Sequence, residues 1–161
     1  MCLPVEANIY SSNSTKLAEN LFKETVPLCD DMVFTYVPRG LVVSIDSRVF
    51  FKDNNEKLMQ SGLIILRQVA SVLRRLENDF VIEGHMENLN PDLSIYGSNW
   101  EISLARANNV SKFLIKYANV PPEKIFTVGF GEFMPFKANA SCSVNLNNRI
   151  DFVILDYEVK R

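Results

Sequence analysis

The chain has 161 residues, 47% of them hydrophobic and 22% charged, which suits one compact domain with a single core. A formal net charge of −2 excludes a partner held by bulk electrostatics, such as nucleic acid or an anionic membrane surface. No apolar run approaches the ~18 residues needed to cross a bilayer. The opening MCLPVEANIY has no basic region followed by an apolar one, so it does not read as a signal peptide. If the protein works outside the cytoplasm, the segment that exports it is expected to lie outside this sequence.

The first ten residues read as irregular. SSNSTKLAENLFKETV then offers cap residues followed by Leu17, Leu21 and Phe22, which predicts a short amphipathic helix from about Ser14 that Pro27 interrupts. MVFTYV is a strand candidate and PRG at 38–40 is turn chemistry. LVVSIDSRVFF predicts a strand over Leu41–Ile45 with an extension to Phe51. KDNN then caps a long helix, with Leu58, Leu66, Val69, Leu73 and Leu76 at helical spacing. FVIEGH, Phe80–His85, is too short for a helix and reads as a buried strand, followed by a polar loop from Met86 to Gly97. Ser98 and Glu101 have capping-box spacing, and Ala107, Val110, Phe113 or Leu114, and Tyr117 supply the inner face of the helix they open. After the NVPPEK turn, IFTVGFGE is a strand, Phe136 to Asn147 a long polar loop, and RIDFVIL the last strand. The order predicts two right-handed crossovers packed on one face of a mixed sheet.

The residues give little support to catalysis. His85 is the only histidine, no GxSxG elbow is present, and no second histidine or cysteine stands at zinc-ligand spacing. GFGE after a strand lacks the further glycine and lysine of a phosphate loop. Cys2, Cys29 and Cys142 are widely spaced, neither a metal cluster nor a disulfide framework; they read as three unpaired thiols, with Cys29 and Cys142 the pair to expect under oxidising conditions. Glu83, Glu87, Asp92 and Glu101 are candidates for paired carboxylates, but Glu83 lies inside a strand and acids in a polar stretch read more readily as a solvated loop. His85 reads as a ring bonded to backbone at a strand end, and Trp100 as a core anchor.

Binding fits better. A loop leaving a strand at Met86, Glu87 and Asn88, beside the first turns of the helix from Asn99 to Arg106, makes a pocket with an anion at Glu87. Arg106 supplies a planar fork suited to a carboxylate. A zwitterion carrying both an ammonium and a carboxylate matches that pair. The competing reading of Arg106 is a surface arginine paired with Glu101 or Glu83.

Four spaced motifs, GHMEN at 84–88, SNWEISLARANNV at 98–110, GFGEFMP at 129–135 and NNRIDFVI at 147–154, resemble GHTD, SNWELSxxRAxxV, GxGExxP and NRRVEI of the OmpA-like peptidoglycan-binding domain. SNWEIS places the resemblance in the branch of the flagellar stator subunits, the MotB-like periplasmic domains. It covers about Val37 to Leu155. It implies an α+β fold, a β-α-β-α-β(β) two-layer sandwich with a mixed sheet and helices on one face. To this the chain adds a short N-terminal helix within a linker segment, 1–36, ahead of the domain, 37–161.

The resemblance implies a non-catalytic wall anchor without a cofactor. Glu87 would grip the ammonium of diaminopimelate in the peptidoglycan stem peptide and Arg106 its carboxylate, with Asn99 opening the helix motif and Arg149 as the second arginine of NRR. Three positions depart from the pattern: Met86 stands for Thr, Glu87 for Asp and Asn148 for the first Arg, changes that alter the wall ligand's surroundings. The implied partners are peptidoglycan, a second copy in a homodimer and the membrane ion-channel subunit of a stator, the last reached through an N-terminal segment outside this sequence, in the periplasm. The alternatives are an interaction domain of a secretion-system anchor and a wall-tethered lipoprotein with Cys2 near its mature start.

Overall fold

The computed structural model describes residues 11–28, 31–137 and 145–157. Its elements are α1 (Asn13–Thr25), β1 (Met32–Val37), β2 (Gly40–Asp46), α2 (Gln60–Leu73), β3 (Phe80–His85), α3 (Asn99–Ala118), β4 (Ile125–Gly131) and β5 (Arg149–Leu155). The strands form one sheet in the order β1-β2-β5-β3-β4. β3 and β4 run parallel and the other neighbours antiparallel, so the mixed α+β sandwich expected from the sequence is the fold. The last strand in the chain occupies the middle of the sheet. Its alternation shows why: Ile150, Phe152 and Ile154 enter the main core, while Val153 and Leu155 pack on the opposite face. A strand buried on both faces belongs at the centre.

All three helices contribute to that main core. From α1 come Ala18, Leu21 and Phe22, all buried, and Phe22 meets Phe34 of β1 edge to face at 6.4 Å. The Tyr36 hydroxyl donates to Glu19 of α1. Residues assigned to a linker thus share the core of the domain, and the division at 36/37 is not a packing boundary. Ser12 and Thr15 cap α1 reciprocally. No helix among the described residues is long and apolar enough to cross a membrane.

Four readings are corrected. The strand read over Leu41–Ile45 stops at Asp46 and does not extend to Phe51, because Asp46 caps a 3-10 turn over Ser47–Val49 by accepting from the Arg48 N–H. The second helix begins at Gln60, not at KDNN: Asn54 adopts a left-handed φ of 55°, and Phe51 bridges Leu58 in extended form. Asp and Asn compete with the helix through local side-chain bonds, and Asn55 does so here by accepting from the Lys57 N–H at 2.7 Å. Tyr117 lies outside the core at 66% exposure, because Phe113 and Leu114 already fill the inner position and Tyr117 rests on the outer side of the Phe113 ring, 5.8 Å away. Trp100, at 51% exposure, is not a core anchor either. Its backbone fills the place against the sheet, so close that a Cβ on Gly131 would lie 3.0 Å from the Trp100 nitrogen. The three cysteines lie outside the described residues.

Phe22→Ala tests whether α1 is part of the domain. The expected loss is about 3–5 kcal/mol of unfolding free energy, read from urea titrations; a loss below about 1 kcal/mol would mean that α1 is undocked in solution.

Candidate functional site

At the edge formed by the ends of β2 and β3 and the start of β5, the chain encloses an open cavity of about 460 Å³. Asp46, Ser47 and Arg48 line it from the end of β2, Asp53 and Asn54 from the extended stretch before α2, and Met86, Glu87 and Asn88 from the turn after β3. Asn145 and Asn148 approach from the residues ahead of β5, and Arg106 rises from α3. Asp46 shapes the rim: it accepts from the Arg48 backbone N–H at 2.8 Å and pairs with the Arg48 guanidinium at 2.7 Å.

Arg106 is the centre of this site and is buried, at 3% exposure. Its Nε donates to the Asn55 carbonyl at 2.8 Å and one Nη to the Lys52 carbonyl at 3.0 Å. The other Nη meets the Met86 sulfur at 3.3 Å and the Ser47 hydroxyl at 3.5 Å, and Phe51 presents its ring 4.9 Å from the guanidinium carbon. Neither Glu101 nor Glu83 pairs with it, and it forms no ion pair among the described residues. Glu101 instead accepts from the Ser98 hydroxyl and the Gly97 N–H, both at 3.0 Å. Burial pushes the Arg106 pKa down to about 10, with Asp53 and Glu56 opposing the shift. It stays charged at neutral pH. A desolvated cation satisfied by dipoles but by no counter-charge is a place for an anion.

Glu87 is half-buried and held from two sides. Its N–H donates to the Asn148 side-chain carbonyl at 2.7 Å, and its carboxylate accepts from the Asn147 amide at 3.1 Å. Met86, Glu87, Arg106 and Asn148 thus line one cavity. Asn99 and Arg149 do not line the cavity. Asn99 accepts from the Leu89 N–H at 2.9 Å and so ties down the loop behind Glu87. Arg149 is buried, paired with Asp151 at 3.0 Å, and donates to the Leu146 and Met134 carbonyls at 3.0 and 3.1 Å. It anchors the segment that presents Asn145 to Asn148. Sequence reasoning missed Asp46, Arg48 and Asp53; the one signal is Asp46, an acidic residue at a strand end, a position open to many uses.

Behind the cavity, His85 lies between two carboxylates rather than against backbone. Its Nε2 stands 3.1 Å from Asp151 Oδ2, bent away from hydrogen-bond geometry, and 3.6 Å from Glu83 Oε2. Its ring stacks on Phe130 at 5.2 Å. Arg39 grips Glu83 with both Nη groups and Arg149 grips Asp151. The three acid and imidazole groups are close enough to share a metal ion, but two arginines already balance the two carboxylates, so the cluster needs no further cation. Burial alone would lower the His85 pKa, yet Asp151 and Glu83 raise it above 6.5. Burial likewise opposes the charged forms of Glu83 and Asp151, and His85 with the arginines holds both below their ordinary values. A raised histidine pKa means that the native state binds the proton more tightly, so its stabilisation is complete below pH 6.5 and disappears as pH rises through the native value. The depressed carboxylates act oppositely, stabilising above 4.5 and 3.8 and losing that as acid protonates them. Unfolding free energy is therefore expected to fall as pH rises above 6.5 through the native His85 value, and His85→Gln to flatten that slope in urea titrations.

The model of the OmpA family matches residues 50–149. YtxE of Bacillus subtilis is 31% identical over 117 residues, spanning 72% of this chain and 48% of that protein. Motility protein B of the same organism is 25% identical over 118 residues, with 72% and 45% covered. The chain thus spans about half the length of these curated relatives. A MotB-like protein from Desulfovibrio vulgaris superposes with a TM-score of 0.75 at 21% identity, over 88% of this chain and 91% of that one. The cell wall anchor of the type VI secretion system from Pseudomonas aeruginosa does so at 0.66 and 20% identity, over 88% and 96%. Architecture and family model agree over the segment that holds Met86, Glu87, Arg106 and Asn148: the chain belongs to the OmpA family.

Proposed function

We propose that this chain is a non-catalytic cell-wall-anchoring domain whose cavity binds the stem peptide of peptidoglycan. The observation that carries the reading is Arg106, a buried cation that faces an open cavity and has no carboxylate of its own. A ligand carboxylate would complete it. Glu87, held by Asn147 and Asn148, then meets the ammonium of the same ligand, a side-chain zwitterion such as diaminopimelate. Met86 takes part as the contact that covers one Nη of Arg106, and Asn99 and Arg149 support the walls from behind. Each charge-assisted contact is worth about 1.5–3 kcal/mol net, so single-site affinity is modest.

Modest affinity suits an anchor that works in pairs. In a homodimer, two sites on one wall raise the grip through effective concentration. The likeness to motility protein B and to MotB periplasmic domains supports a periplasmic role in a flagellar stator. There the domain would hold an ion-channel partner subunit against the wall. The fold it shares with a secretion-system wall anchor supports the second reading, the same anchoring chemistry in a secretion complex.

Co-sedimentation with purified diaminopimelate-type sacculi tests the proposal. The wild type is expected in the pellet, with Arg106→Ala and Glu87→Gln each weakening retention about tenfold or more. Met86→Thr, which uncovers the Arg106 Nη, is expected to strengthen it. A folded wild type that stays in the supernatant would overturn the reading.

A further inference from the structure

On the outer side of α2 and α3, away from the sheet, a second concavity of about 510 Å³ runs between the two helices and shares no lining residue with the cavity over Arg106. Its floor is apolar, made by Leu58, Leu63 and Phe113, and Tyr117 forms one bank at 66% exposure. Its rim is basic: Lys57, Arg67 and Lys112 line it, and no carboxylate does. Lys116, also exposed, continues the Lys112 row one turn along α3. None of these four cations forms an ion pair among the described residues. Arg67 is held over the Phe113 ring at 5.5 Å instead. Glu56, next to Lys57 in sequence, acts on Arg106 and Tyr96. In a chain whose net charge is −2, such a concentration of unpaired cations around an apolar trough is a local feature, not a reflection of composition.

We propose that this groove docks an acidic amphipathic segment of a partner protein, with a stripe of apolar side chains in the trough and Asp or Glu over Lys57, Arg67 and Lys112. This inference is independent of wall binding. Helix-in-groove recognition needs an apolar floor for anchors at i, i+3 or i+4, and i+7, and the rim charges then select partners by sign and speed encounter. A second copy of this chain is a poor occupant, because an isologous contact would set the same cations against each other. An anionic bilayer would touch the Tyr117 bank and leave the trough between the helices unfilled.

The probe is a synthetic amphipathic peptide of about four helical turns, with a Leu/Phe stripe flanked by Glu, titrated into the full chain and followed by anisotropy and by backbone amide spectra. The expected result is saturable binding that shifts the amides of Asn109, Phe113 and Tyr117, weakens with salt, and drops about tenfold or more in Arg67→Glu/Lys112→Glu. Both substituted residues are exposed, and Lys112→Glu alone, expected to give part of the loss, serves if the double variant unfolds. The proposal is overturned if the peptide leaves the groove amides unmoved at about millimolar concentration, or if a Lys-flanked peptide with the same stripe binds as well. It is equally overturned if the variants bind like the wild type, or if the groove amides respond to anionic vesicles or to self-association and not to the peptide.

Discussion

The close approach of α3 to the parallel pair β3–β4 is the constraint on which the rest of this molecule depends. A Cβ on Gly84 would lie 2.0 Å from the Ser103 carbonyl oxygen, and one on Gly129 would lie 2.6 Å from the Leu104 backbone. Only glycine fits at either place, so the helix sits directly on the strands. Ser103 then accepts the Gly131 N–H at 2.9 Å, and Ser111 meets Thr127 at 2.7 Å, fixing the rotation of α3 about its axis. Arg106 lies one turn beyond Ser103, on the neighbouring face. Its reach to the Lys52 and Asn55 carbonyls follows from that placement. A site built on a clamped helix is held more firmly than one built on loops alone.

Electrostatics separates the arginines of this domain into different roles. Arg39 and Arg149 each face a buried carboxylate, so their charges are spent within the fold. Arg106 is as buried as Arg149, yet it is surrounded by carbonyl oxygens, a hydroxyl, a sulfur and a ring. Dipoles satisfy its N–H groups without cancelling its charge. The field that remains is directed into the cavity, where solvent or a ligand must answer it.

Much of this was legible in the sequence, and the failures have a common cause. Short runs of β-branched and aromatic residues bounded by turn chemistry located the described strands, and helical spacing located α3, whose buried face imposes that pattern. The start of α2 was misplaced because Leu58 has the helical spacing and packs against the core, yet its backbone is extended and bridges Phe51. Trp100 was placed inside as an anchor at the helix start and Tyr117 by its helical spacing; the backbone of one and a neighbour of the other already occupied the space. At the site, Glu87 and Arg106 were readable because their elements flank one strand end. Asp53 reaches the same cavity only through the stretch between β2 and α2, whose path no periodicity encodes, and Asp46 stands at a strand end with nothing in the sequence to say which end borders the site. Asn99 and Arg149 were recognisable as residues of a motif, but a motif does not distinguish a side chain that faces the cavity from one that braces it.

The three departures from the family pattern make one coupled local arrangement. An arginine at 148 has no acceptor to offer, whereas Asn148 takes the Glu87 N–H and Asn147 holds the longer carboxylate. Lengthening the acid by one methylene is thus matched by two contacts that immobilise it. Met86 places a soft acceptor, its sulfur, 3.3 Å from one Arg106 Nη, so the guanidinium keeps a contact that covers this part of its outward face. With Asp46 and Arg48 paired at the rim, the lining that remains charged is Asp53 and Glu87 against Arg106. An arginine at 148 would have made that balance even. As it stands, the cavity lining carries one more negative than positive charge, so the field of Arg106 is more than balanced by Asp53 and Glu87 across the opening.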